Sequence, residues 1–124
     1  MNSPVKNQIN TIFVHVSNLK RSVEWYSKLL GQEYDYSNIV RPVFNIKINN
    51  QTGLTLDAGP EGVIKRSNNS EYPIFNFHTF DIDEAFTYVK SLGYKMESGI
   101  VSFDDFSYFT ISDPDMNKIM ICTG

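Results

Sequence analysis

The sequence predicts an α+β domain: two βαβββ modules related by a pseudo-twofold repeat, their mixed sheets curled around a cavity with the helices outside. Three observations lead there. Apolar residues recur with a helical period over residues 19–30 and again over 82–92, and β-rich runs precede and follow both stretches. A glycine, Gly31 or Gly93, stands where each helix should stop. The chain also resembles itself at an interval of roughly 63 residues: Asn18-Leu19 answers to Asp81-Ile82, Leu30-Gly31 to Leu92-Gly93, and His15 to His78.

In chain order, residues 8–17 form the first β-rich run, with Ile9, Ile12, Phe13, Val14 and Val16. In the helix that follows, Val23, Tyr26, Leu29 and Leu30 make an apolar stripe, Lys20, Glu24 and Lys28 take the other side, and Asn18 is the N-cap. A short strand is expected near 33–36, then strands at 43–48 and 54–58 around the polar turn 49–53. Residues 59–72 are polar, with Pro60, Gly62 and Ser67-Asn68-Asn69-Ser70, the composition of a linker or mobile loop. Beyond it come a strand at 73–80, a helix at 82–92 with Ala85, Phe86, Val89 and Leu92 as its stripe, and strands at 94–96, 106–112 and 118–123. Asp113-Pro114-Asp115 turns the last hairpin. One domain, 1–124, therefore divides into module one (about 8–59), a linker (60–72) and module two (73–124).

Composition narrows the functional classes. With 124 residues, 41% hydrophobic and 14% aromatic, the chain can bury one core but not two. Lys and Arg number 11 against 14 Asp and Glu, and neither sign forms a run longer than Lys20-Arg21 or Asp104-Asp105, which argues against nucleic acid as a partner. No segment approaches the ~20 apolar residues of a membrane helix, and the first ten residues do not read as a signal peptide. A cytoplasmic protein without a membrane partner is expected. The single cysteine, Cys122, has no internal disulfide partner.

Three stretches carry a family resemblance: Val16-Ser17-Asn18-Leu19-Lys20-Arg21-Ser22-Val23-Glu24-Trp25-Tyr26 running to Leu30-Gly31, residues 77–93, and Asp113-Pro114-Asp115-Met116-Asn117. On these the chain resembles the vicinal oxygen chelate proteins, which include glyoxalase I, extradiol dioxygenases, fosfomycin-resistance enzymes and bleomycin-binding proteins. The resemblance implies a small-molecule ligand, a homodimer, and, in the family's enzymes, a divalent metal held by His, Gln or Glu. The positions matching those ligands are Thr11, Ile74, Met120 and Thr55, or Asp57 if the hairpin is one pleat out of register. A hydroxyl is a poor ligand for such a metal, isoleucine has no donor, and a thioether is soft and weak. Neither a metal nor another cofactor is therefore expected, and a glyoxalase-type metal reaction is not.

Strand alternation places Phe13 and His15 on the face of Thr11, and Asn76 and His78 on that of Ile74. By the same parity Asp57 and Cys122 accompany Thr55 and Met120, and Tyr108 and Thr110 line the neighbouring strand. His15, Asp57, His78 and Cys122 thus form a polar set displaced from the usual metal centre. It reads in three ways: a relocated metal site, a histidine general base oriented by Asp57, or hydrogen-bonding groups lining a pocket or subunit interface. Cys122 reads as a small buried filler rather than a nucleophile. The aromatic load suits a flat apolar ligand. A metal-independent binder of an aromatic or apolar small molecule or drug is the favoured reading. The alternative is an enzyme, a lyase, isomerase or dioxygenase-like protein, using His15 or His78 as acid or base or the relocated metal site.

Overall fold

The computed structural model describes residues 1–124. Period-two alternation in β1 (Thr11–His15) buries Val14 and leaves Phe13 and His15 exposed. In the first sheet β3 (Gly53–Asp57) is central, parallel to β1 and antiparallel to β2 (Val43–Ile46). Leu54, Leu56 and Ile46 are buried, and α1 (Leu19–Leu29) contributes Val23, Tyr26 and Leu29 to the same core cluster. Burial of each such side chain is worth ~1.5–3 kcal/mol, which is what holds helix to sheet. The predicted N-cap is present: Asn18 Oδ1 accepts from the Arg21 backbone N–H at 3.0 Å.

The second sheet runs β4 (Phe75–His78), β8 (Lys118–Cys122), β7 (Ser107–Ser112), β5 (Lys95–Met96), with β6 (Val101–Ser102) also on β7. Here β4 and β8 are parallel and β7 and β8 antiparallel. Phe109, Ile111, Ile119 and Ile121 are buried, α2 (Ile82–Ser91) adds Val89 and the partly buried Phe86, and Asp81 caps the helix through Glu84 N–H at 3.0 Å.

The architecture is α+β with two α-helices and two mixed sheets, and no barrel is closed. The halves are not strand-for-strand copies, having three strands and five. No strand forms at 33–36. Asp35 accepts hydrogen bonds from both the backbone N–H and the hydroxyl of Ser37, at 2.9 and 2.8 Å, which turns the chain into a single 3₁₀ turn, Tyr36–Asn38. The strand expected over 73–80 shortens to β4. Pro73 lacks the N–H a ladder needs, and Phe80 at the other end is 96% exposed. The extra strand β6 pairs Val101 with Tyr108 and Ser102 with Ser107.

The halves are joined by side chains. Tyr26 donates to Asp113 Oδ2 at 2.7 Å, Asn117 Nδ2 donates to Asp113 Oδ2 at 2.8 Å and to the His15 carbonyl at 3.1 Å, and Ser17 N–H donates to Asp115 Oδ2 at 3.1 Å. Tyr94 stacks on Trp25 with ring centroids 4.6 Å apart and donates its hydroxyl to the Trp25 carbonyl at 2.8 Å. The expected linker has no regular secondary structure, yet it is anchored. Asn68 N–H donates to the Asp115 carbonyl at 2.8 Å, and the Arg41 guanidinium binds the carbonyls of Ala58 and Val63 at 2.6 and 3.0 Å.

Candidate functional site

The faces turned away from the helices carry the residues singled out by parity. On the first sheet the register sets Thr11 opposite Gly53, Phe13 opposite Thr55 and His15 opposite Asp57. Phe13 is 59% exposed, an unusual position for a phenylalanine in a strand. Thr55 is buried and donates its hydroxyl to Asn45 Oδ1 at 2.7 Å. Asp57 is turned back on its own chain: Oδ1 accepts the Gly59 N–H at 2.8 Å and makes no hydrogen bond to His15. His15 meets Lys65 instead, with Nζ 2.8 Å from Nδ1, and the same ammonium lies 3.8 Å from Asp57 Oδ1. An ammonium only donates, so Nδ1 accepts and the neutral ring carries its proton on Nε2.

On the second sheet Asn76 is opposite Met120, His78 opposite Cys122, and Cys122 in turn opposite Tyr108, with Thr110 opposite Met120. Asn76 and His78 are exposed, and Met120, Tyr108 and Thr110 are partly so. Cys122 is buried, and its Sγ accepts the Gly124 N–H at 3.3 Å. His78 makes no side-chain hydrogen bond and stands edge-on to the Phe80 ring, centroids 4.5 Å apart. The eleven expected site residues therefore fall into two sets, one per sheet. No three His, Cys, Asp or Glu side chains anywhere are grouped to hold a metal ion.

Where the halves meet, Phe13, His15, Arg66, Asn68, Ile74 and Asn117 line a pocket of about 290 Å³. Sequence reasoning missed its polar wall, because residues 59–72 read as a linker by composition. The available signal was Lys65-Arg66, the one cationic pair in that segment.

A family model, the glyoxalase/bleomycin resistance protein/dioxygenase superfamily, matches residues 8–121. The chain belongs to that superfamily. No curated protein matches it. Among solved structures, a glyoxalase/dioxygenase from Nostoc punctiforme is similar at 19% identity and TM-score 0.73, with 98% of this chain and 97% of that one covered. A superfamily member from Sphaerobacter thermophilus is similar at 21% identity and TM-score 0.70, covering 94% and 97%. An oxidase, ChaP-H2, is similar at 17% identity and TM-score 0.64, covering 97% and 95%. At these identities the likeness is one of fold.

In register Thr55 faces Phe13 as Met120 faces Asn76, which makes Thr55 the counterpart of Met120. Its hydroxyl is already committed to Asn45. Thr11, Ile74 and Met120 add a hydroxyl, no donor and a thioether, so the set does not fit the metal of the superfamily's enzymes. No helix of this superfamily member is long and apolar enough to cross a membrane.

Proposed function

We propose that this superfamily member is a metal-independent small-molecule-binding protein whose ligand lies in a cavity between the two open sheet faces. The observation that carries the reading is the composition of those faces: Phe13, His15, Asn76 and His78 are exposed on them, and no three His, Cys, Asp or Glu side chains are grouped to hold a metal ion. Retaining a ligand requires affinity alone, which aromatic surface and a few oriented polar groups supply. The pseudo-twofold repeat of the sequence supports a shared cavity, as does the common pairing of a parallel outer pair with an antiparallel hairpin in both sheets.

A second reading, catalysis by a histidine base, is favoured by one observation. His78 is exposed and free of hydrogen bonds, whereas the lone pair of His15 Nδ1 is occupied by Lys65. The similarity to an oxidase is compatible with an enzyme on this scaffold. The two readings separate in one experiment. The purified protein is incubated with a panel of metabolites and drugs, bound and altered compounds are read by mass spectrometry, and metal content is measured in parallel. The binder returns unchanged compounds and no stoichiometric zinc, nickel or manganese. His15→Ala and His78→Ala then weaken retention by about 1 kcal/mol, a lost neutral hydrogen bond. New masses whose production falls about 10²–10⁴-fold in His78→Ala identify a general base and overturn the binder.

A further inference from the structure

The pocket at the junction of the halves offers hydrogen-bond donors and almost no acceptors. His15 has only Nε2–H to give, because Lys65 occupies Nδ1. Asn117 spends both amide hydrogens on the His15 carbonyl and Asp113 Oδ2, and its Oδ1 already accepts from Asn68. Asn68 Oδ1 accepts the Ser70 N–H, which leaves its second amide hydrogen unspent. Arg66 makes neither a side-chain hydrogen bond nor an ion pair, so its five donors and its charge are uncommitted. No Asp or Glu lines the pocket, and the carboxylate nearest His15 in register, Asp57, is held by Lys65 and Gly59. The one charged side chain lining the pocket, Arg66, is thus positive in a chain of formal net charge −3. The opposite wall is apolar: Phe13 is 59% exposed and Ile74 41%.

We infer that this pocket takes a small organic anion with a flat apolar body, a carboxylate on a single ring being the minimal case, which rests on the reading of these faces as a ligand site. The carboxylate accepts from the Arg66 guanidinium and from His15 Nε2–H, and the ring lies against Phe13 and Ile74. Charge-assisted bonds to a planar guanidinium supply orientation as well as affinity, and the volume of about 290 Å³ has room for a single-ring acid. Lys65 acts one step away, as a positioning residue that fixes which nitrogen of His15 carries the proton.

The test is calorimetric titration of the intact protein with benzoate, benzamide, acetate and inorganic phosphate at low and high NaCl. Benzoate binds at least tenfold more tightly than benzamide or phosphate, and added salt weakens it, because Arg66 is exposed. Arg66→Gln, whose side chain supports nothing else in the fold, lowers benzoate affinity about 10- to 100-fold, the loss expected for bonds to a charged group, and brings it down to that of benzamide. Phe13→Ala weakens benzoate and leaves acetate unchanged. Benzamide matching benzoate, or Arg66→Gln without effect, overturns the anion while leaving the binder reading intact. Phosphate matching benzoate overturns the ring. If none of these probes binds but the broad panel yields a neutral ligand, this inference alone fails; if the panel too is empty, both readings fall.

Discussion

At the scale of single residues, Asp113 has the most demanding position. It is 3% exposed, its Oδ1 accepts the backbone N–H of Asp115 and Asn117 at 2.9 and 2.8 Å, and its Oδ2 accepts from Tyr26 and Asn117. Burial raises its pKa, the hydrogen bonds lower it, and burial prevails. For an acid raised in the folded state, the native protein binds more protons than the unfolded chain between the ordinary carboxylate value and the raised one. Stability from this group therefore increases as pH falls through that window. The stability of the wild type relative to Asp113→Asn should accordingly rise on acidification, as read from urea midpoints at a series of pH values; a fall would show that the hydrogen bonds prevail. Only half of this was legible. Asp-Pro-Asp marks a turn in any sequence, but that its first carboxylate is buried under Tyr26, 87 positions away, depends on tertiary packing. The histidine and aromatic positions were legible because strand parity is a local rule; Lys65 and Arg66 were not, because no local rule places a loop residue on a distant sheet.

Elements follow local signals closely where the signals agree. Both helices begin where expected, and each ends within one residue of expectation, at Leu29 and Ser91, with Gly31 and Gly93 beyond them at φ 67° and 75°. Asn18→Ala should cost about 0.5–2 kcal/mol of stability, and Asn18→Asp or Asn18→Ser should restore it, since either offers Arg21 N–H an acceptor. Chemical denaturation of the three variants checks this; equal loss in all of them would trace the effect to the turn rather than to the cap. The strand expected at 33–36 fails for the complementary reason. Tyr34 and Tyr36 favour a strand, but Asp35 bonds Ser37, the two tyrosine rings meet edge-on at 5.3 Å, and Tyr36 reaches Glu24 on α1. Side-chain bonds two residues apart outcompete a ladder that has no partner strand to join.

For the whole molecule, fold class and family were legible almost throughout, and the relation between the halves was not. Phe80 is 96% exposed, Phe13 59% and Phe103 56%, aromatic surface open to a partner copy. The expected state is a homodimer, which light scattering at micromolar concentration tests; a monomer contradicts it. The halves themselves are joined by the Asp113–Asn117 turn and the Tyr94–Trp25 contact, none of which belongs to a strand ladder. The sheets and the helices over them are thus one inheritance, and the setting between them another. Substitution at these turn positions should alter the setting of the two sheets while every ladder bond stays in place.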